Sequence, residues 1–350
     1  LPKRIVRGII PINSVVSYFM VDKETGFIRI EEFSMTTASE FRQAASMLQA
    51  QGMKKLVLDL RHNGGGVLTG ATEIADEFLK SGTPILKTIG EHAGTQVYKA
   101  TSRASLIDMK VVVLINSYSA SASEILAGAL QDNDRATIVG RRSFGKGLVQ
   151  EDVKLRDGSS LRLTIARYYT PTGRCIQKPY SGDYEDYYKD QMDRYDNGEL
   201  YAPDSSLFVD SLKYKTPKGK IVYGGGGIMP DVFVPFDSSG NSWYFSDLRI
   251  SGAFQAFAFD FVADKRQNWK SLKDFDKQFT VSDDLTERFV QFAAKEMKVK
   301  VDRAGLKHSK ELIRRQIKAE IARQIWLEDG FYLIINQKDR EVQRALSVLK

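Results

Sequence analysis

Two short stretches hold residue types that, at their spacing, can attack a carbonyl group. The first is Asn116-Ser117-Tyr118-Ser119-Ala120-Ser121-Ala122-Ser123-Glu124-Ile125, where serines alternate between an apolar run and a helical one. Two readings stand side by side. Ser119 or Ser121 can be a helix N-cap, and Glu124, three residues after Ser121, then completes a capping box. A serine at a strand-to-helix turn also exposes its hydroxyl, and the Ala122 N–H after it points to where an oxyanion would sit.

A serine hydroxyl is a poor nucleophile until a base takes its proton. The chain has 3 histidines, His62, His92 and His308, and none has a neighbouring carboxylate pattern that specifies a triad. GxSxG and HExxH are both absent, so each histidine reads as structural or surface. The other base on offer is Lys146, in Ser143-Phe144-Gly145-Lys146-Gly147-Leu148-Val149-Gln150. A lysine can act this way only where burial lowers its pKa enough to leave the amine neutral. The flanking glycines allow close backbone approach, Phe144, Leu148 and Val149 offer an apolar wall, and Gln150 stands where it can hold the amine. The bland alternative is a solvated lysine in a glycine-rich turn, and only the serine turn tips the balance.

The same segment also fits a phosphate-binding loop, since Gly140 to Lys146 matches GxxxxGK. It fails at Gly147, where a magnesium-binding hydroxyl belongs, and at Leu148 to Val153, which reads as strand where a helix is required. A third stretch, Asp59-Leu60-Arg61-His62-Asn63-Gly64-Gly65-Gly66, follows an apolar run and is either a tight strand-to-helix connection or a nest of backbone N–H groups for an anion.

The elements that must position these residues can be traced along the chain. Ser14 to Val21 and Phe27 to Phe33 read as strands around a turn, and Thr37 to Gln51 as helix. Lys54 to Leu60 and Lys110 to Ile115 are continuous apolar strands, each followed by a turn of small residues and then a helix (Leu68 to Leu79, and on to about Leu130), with a further short strand at Ala136 to Val139. That alternation predicts a mainly parallel sheet covered on both faces, with the serine and glycine turns at the carboxyl ends of its strands. Leu148 to Leu155 and Leu161 to Tyr169 read as strands, and Val232 to Val234 as a short one after a flexible turn at Gly224 to Gly227. Tyr180 to Tyr201, rich in Tyr and Asp, reads as an insertion or long surface loop, a candidate lid. From Phe245 the periodicity is mostly helical, with helices at Leu285 to Met297 and Ser309 to Trp326. The expected division is a core over 1–240, including the insertion at about 176–220, and a helical subdomain over 241–350.

Composition excludes several classes. With 350 residues, 42% of them hydrophobic, the chain can bury a sizeable core. Its 1 cysteine, Cys175, rules out an intrachain disulfide and a CxxC metal site. The 51 basic and 44 acidic residues are interspersed, and the densest basic run, Arg314 to Arg323, alternates with apolar residues at helical spacing, so no nucleic-acid footprint appears. No run approaches the ~20 apolar residues of a membrane span. The chain begins at Leu1 without a signal-peptide layout, which predicts a processed or trimmed form.

Together, DLRHNGGG at Asp59 to Gly66, SASASEILAGALQDN at Ser119 to Asn133 and FGKGLVQ at Phe144 to Gln150 resemble the carboxyl-terminal processing peptidases, or tail-specific proteases. The resemblance implies an α/β fold with a ClpP/crotonase-like sheet-and-helix core. It implies a serine endopeptidase with a Ser-Lys dyad: Ser121 as nucleophile, Lys146 as general base, Gln150 orienting the lysine, and an oxyanion hole from the backbone of Gly66 and Ala122. No cofactor and no metal are implied. The implied partners are protein or peptide substrates with accessible carboxyl termini, and not nucleic acid; envelope association through a segment upstream of Leu1 and a homo-oligomer are left open. The implied location is extracytoplasmic, in the bacterial periplasm or envelope. Members of the family usually carry a PDZ domain ahead of the core, whereas about a dozen residues precede the first strand here, so that domain is expected to be either removed or lacking.

Overall fold

The computed structural model describes residues 7–8, 12–180, 182, 184–203 and 209–350. The chain folds in the order β1 (Val15–Met20), β2 (Thr25–Ile30), α1 (Thr37–Ala50), β3 (Lys55–Asp59), α2 (Leu68–Asp76), β4 (Pro84–Gly90), β5 (Gly94–Lys99), β6 (Lys110–Ile115), α3 (Ala122–Asp132), β7 (Thr137–Gly140), β8 (Leu148–Lys154) and β9 (Ser160–Tyr169). It continues through α4 (Tyr184–Asp196), β10 (Lys213–Lys215), β11 (Ile221–Tyr223) and β12 (Val232–Phe233), and then seven helices: α5 (Trp243–Ile250), α6 (Ala253–Phe261), α7 (Leu272–Gln278), α8 (Asp283–Glu296), α9 (Arg303–His308), α10 (Lys310–Asn336) and α11 (Arg340–Val348).

The central sheet has the order β1-β2-β3-β6-β7-β12. Its strands β2, β3, β6, β7 and β12 are parallel, and β1 closes one edge antiparallel to β2. The continuous apolar runs of β3 and β6 are explained by burial on both sides. Leu56 and Leu58 with Val111, Val113 and Ile115 face the core under α1, α2 and α3. Val57 with Val112 and Leu114 face a second core closed by Val342, Ala345 and Leu349 of the chain's end. A parallel strand buried on both faces has no polar side to show, so it reads as an unbroken apolar run. The turns after β3 and β6 therefore emerge together, at the carboxyl edge of adjacent strands.

The sequence left the sheet of β8 and β9 open, and two of its expectations need correction. The strands β8 and β9 do not extend the central sheet; with β4 and β5 they form a separate antiparallel sheet of order β5-β4-β9-β8, because β9 pairs with the distant β4 at Lys87↔Tyr169. The Tyr/Asp-rich segment is not a loop over its described residues but contains the helix α4, whose Arg194 is 1% exposed; positions 181 and 183 lie outside the described residues. Gly224 to Gly227 is not a free turn: the Gly225 and Gly227 N–H groups donate to Cys175 and Ile176 carbonyls at 2.7 and 2.8 Å, and a Cβ on Gly227 would lie 2.7 Å from the Ser143 carbonyl oxygen.

The carboxyl-terminal region is helical from α5 onward and packs its own aromatic core around Phe254, Phe275 and Phe289. Ser242, Ser271, Ser282, Asp302 and Asp339 each accept backbone N–H bonds at a helix start, satisfying donors that have no intrahelical partner. The helix α10 is interrupted at Trp326 and Leu327, the latter at φ 53°, so the periodicity that stops at Trp326 ends where the regular helix breaks. Beyond the break, Asp329 accepts the Tyr18 N–H of the edge strand at 2.9 Å, which joins the helical region to the central sheet.

Candidate active site

Ser121 is the N-cap of α3, at φ 54° and ψ −113°. Left-handed φ costs a serine about 1–3 kcal/mol and persists only where the surroundings enforce it. The enforcement is on both sides of the residue. Ser119 is fully buried, accepts the Asn116 N–H at 3.0 Å and donates to the Leu60 carbonyl at 2.8 Å. Ser123, also fully buried, donates to the Asn63 carbonyl at 2.9 Å. Of the three alternate serines, Ser119 and Ser123 thus bind the serine turn to the preceding glycine turn, while the half-buried Ser121 faces a cavity.

The glycine turn is pressed against that serine. Asn63 accepts the Ala120 N–H on its carbonyl at 3.0 Å and the Gly65 N–H on its side chain at 2.8 Å. A Cβ on Gly65, at φ 101°, would lie 2.7 Å from Ser121 Cβ, so only glycine permits the approach. A Cβ on Gly66, at φ 134°, would lie 2.0 Å from the Phe33 carbonyl oxygen. The N–H groups of Gly66 and Ala122 have no acceptor among the described residues. Ahead of the glycines, Arg61 makes three bonds to the fully buried Asp59, from its backbone N–H at 3.0 Å and from its guanidinium at 2.9 and 2.8 Å. Burial by itself would raise the Asp59 carboxyl, but Arg61 and Arg29 hold it well below the usual carboxylate range.

Glu124 joins the serine turn to the lysine turn. Its carboxylate is fully buried and accepts four hydrogen bonds: from Ser121 N–H at 2.8 Å, Ser143 Oγ at 2.5 Å, Gly145 N–H at 2.7 Å and Lys146 N–H at 2.8 Å. Burial pushes this carboxyl up, against the four donors that favour its ionised form. Tyr168 of β9 adds a second tie, its hydroxyl donating to the Lys146 carbonyl at 2.8 Å and lying 3.2 Å from that of Ser121. Lys146 itself is half-buried, and its amine is held below the ordinary lysine value, first by burial and then by the Arg162 guanidinium, with Glu124 opposing.

One cavity of about 740 Å³ takes in Ser121, Ala122, Lys146, Gln150 and Gly66, so all five residues singled out in the sequence meet there. Gln150 is exposed on the rim, past a bulge in β8, and makes no hydrogen bond to Lys146. Leu68, Ile125 and Leu148 supply apolar wall, while Asp152 and Arg162, paired at 2.7 Å, stand at the edge. The three histidines lie elsewhere. His62 stacks on Tyr118 at 5.3 Å, and its imidazole is lowered to about 4 by partial burial and then by Arg29 and Arg61. Two contributors were not singled out as site residues from sequence: Glu124 was visible as a capping residue only, and Tyr168 as an ordinary strand position. The chemistry available is a hydroxyl at a strained turn, a desolvated amine in the same cavity, and two free N–H groups beside them.

Over residues 24–185 the sequence matches the model of peptidase family S41, and over residues 244–328 that of a family of unknown function. It is 41% identical over 179 residues to a carboxyl-terminal-processing protease of Picosynechococcus sp., covering 50% of this chain and 42% of that one. It is 37% identical over 174 residues to the carboxy-terminal processing protease CtpA of Bacillus subtilis, covering 50% and 37%. The matches thus span less than half the length of these relatives. Among solved structures, a photosystem II D1 C-terminal processing protease superposes with a TM-score of 0.42 at 36% identity, covering 48% of this chain and 46% of that one.

Proposed function

Residues 24–185 belong to peptidase family S41, and from that premise we propose that the chain is a serine endopeptidase that cleaves protein or peptide substrates near their carboxyl termini with a Ser121–Lys146 dyad. The observation that carries this reading is the single cavity shared by Ser121, Lys146 and two N–H groups, those of Gly66 and Ala122, with no acceptor among the described residues. In this reading the peptidase core runs to residue 240, residues 241–350 form a helical subdomain, and the protein works outside the cytoplasm, in a periplasm or envelope. Among the described residues no helix is long and apolar enough to cross a membrane.

The neutral Lys146 amine takes the proton of Ser121 Oγ as the oxygen attacks the scissile carbonyl carbon, which makes an ammonium and a tetrahedral oxyanion. The Gly66 and Ala122 N–H groups receive that oxyanion, where fixed donors in a water-poor site stabilise developing charge without reorganising. The carbon–nitrogen bond then breaks, the ammonium gives its proton to the departing amine, and an acyl-serine ester remains. A water, losing its proton to the regenerated Lys146 amine, attacks the ester; the ammonium returns the proton to Ser121 and frees the new carboxyl terminus. In this reading Gln150, which lines the same cavity, orients the amine once a substrate closes it.

The test uses an unstructured peptide in two forms, one ending in a free carboxylate and one amidated. Wild-type protein is expected to cleave the first faster, and Ser121→Ala and Lys146→Ala each to abolish turnover while keeping the circular dichroism spectrum, with Lys146→His giving no rescue. Full turnover by either alanine variant removes the dyad. Equal rates on the two peptides remove the preference for a free terminus.

A further inference from the structure

The helix α4 follows β9 and lies against the turn that carries Lys146. Among its described side chains, the one that is large and fully buried is a cation, Arg194. The Arg194 guanidinium donates to three successive carbonyls, those of Arg142 at 3.3 Å, Ser143 at 2.9 Å and Phe144 at 3.2 Å. Asp190, one helical turn earlier, accepts from it at 2.9 Å and also accepts from Lys178 at 3.0 Å. The Lys178 ammonium in turn sits 4.1 Å above the Phe144 ring and 4.2 Å above Tyr187. On the far side of the lysine, Gln177 Oε1 accepts the Gly147 N–H at 2.8 Å. Gln191 reaches the other turn, donating to the Ser117 carbonyl at 3.0 Å.

Two opposite grips therefore act on one short segment. Glu124 takes its N–H groups at Gly145 and Lys146, and Arg194 takes its carbonyls at 142–144. Burying a guanidinium is costly unless its donors are met, and an apolar side chain could fill the same space without that cost. What an apolar side chain could not do is bind three carbonyls in a fixed plane, which the rigid fork of arginine does. Neither Arg194 nor Gln177 lines the Ser121 cavity, so neither touches a substrate there. The segment holding Arg194 also lies beyond residue 185, where the family match stops.

We infer that Arg194 is a positioning residue for Lys146, and that α4 is a brace behind the general base rather than a lid over the substrate. The inference rests on Lys146 acting as proposed above. A turn with glycines on both sides of the lysine has little stiffness of its own, since glycine gives up the most freedom on ordering. With the carbonyls of 142–144 held from behind, the lysine side chain leaves the turn in one direction, into the cavity. The charged groups facing Lys146 are Glu124 from α3 and Arg162 from β9, and those facing Arg194 are Asp190, Arg142 and Glu199.

The experiment compares wild type with Arg194→Met and Arg194→Lys by three readouts: amide hydrogen exchange over 143–147, the split between kcat and KM, and the pH profile of kcat. In a folded Arg194→Met protein, exchange over 143–147 is expected to speed up. The kcat should fall about 10- to 100-fold, the scale of an ångström-sized misplacement, with KM nearly unchanged. The acid limb of kcat should move to higher pH, because a loosened turn lets water reach the amine. Arg194→Lys should recover only part, since an ammonium cannot reach three carbonyls together. If Arg194→Met does not fold, Arg194→Lys and Gln177→Ala decide by the same readouts. Unchanged exchange over 143–147 overturns the brace, and so does faster exchange with an unmoved pH limb and kcat. Absence of any Ser121-dependent turnover in wild type fails the peptidase reading instead, and exchange alone then decides whether Arg194 holds the turn.

Discussion

Glu124 accepts the backbone N–H of Lys146 at 2.8 Å, on the same Oε2 that accepts the N–H of Ser121 at 2.8 Å. A single carboxylate oxygen thus fixes the distance between two turns that are 25 residues apart, as 146 − 121 gives. Glu124→Gln replaces one oxygen with an amide that has hydrogens to donate where only acceptors are wanted. We expect kcat on an unstructured peptide to fall by about 10²-fold or more, with a lower melting temperature from the unpaired buried donors. A Glu124→Gln protein with wild-type kcat would separate the turns' alignment from activity.

The three alternate serines should separate by phenotype. Ser121→Ala is expected to lose turnover and keep stability. Ser119→Ala leaves the Asn116 N–H buried without its acceptor, while the Leu60 carbonyl keeps the Asn63 N–H at 3.2 Å, which should cost about 1–3 kcal/mol of unfolding free energy and leave kcat within about tenfold. Urea denaturation and peptide turnover on the same preparations check both halves. A dead but stable Ser119→Ala, beside an active Ser121→Ala, would move the nucleophile.

The pH dependence follows from the direction in which Lys146 is shifted. Burial and then Arg162 lower its pKa, and the neutral amine is the reactive form, so kcat/KM should rise with pH through that lowered value and stay high into mildly alkaline solution. Arg162→Gln removes the neighbouring cation and leaves Asp152 unpaired, and both changes favour the ammonium. The acid limb should therefore move to higher pH, and added salt should move the wild-type limb the same way by screening an exposed charge. A limb that shifts to lower pH in Arg162→Gln would contradict the electrostatic account.

The chain's last helix reaches the glycine turn from the opposite face of the sheet. Arg61 donates to Asp339 at 2.8 Å and to Glu341 at 2.5 Å, and Arg141 also pairs with Glu341. Glu341→Ala leaves two largely buried guanidiniums short of a partner, which we expect to cost about 3–5 kcal/mol. Because Arg61 also bonds Asp59 at the root of the glycine turn, kcat should fall with stability, as read by turnover in the folded fraction. A loss in urea stability under about 1 kcal/mol would mean that solvent already screens the pairs.

Much of the core was legible because its causes are local. Unbroken apolar runs at β3 and β6 follow from burial on both faces, and turns of small residues after them follow from the switch from strand to helix, so the sheet, its covering helices and the turns carrying Ser121 and Gly66 could be read in order. Gly65 could be read as part of a tight connection or an N–H nest, but not as a close approach to Ser121 Cβ. What only the tertiary structure decided are contacts whose partners are backbone groups far away in sequence. The pairing of β4 with β9 sends β8 into a second sheet, and no alternation pattern states which strand another will choose. Glu124 satisfies a capping rule within three residues, and that sufficient local role concealed its bonds to Ser143, Gly145 and Lys146. Arg194 sits in a helix too polar to predict a buried position, and its acceptors are main-chain carbonyls, which every residue has and no sequence motif marks.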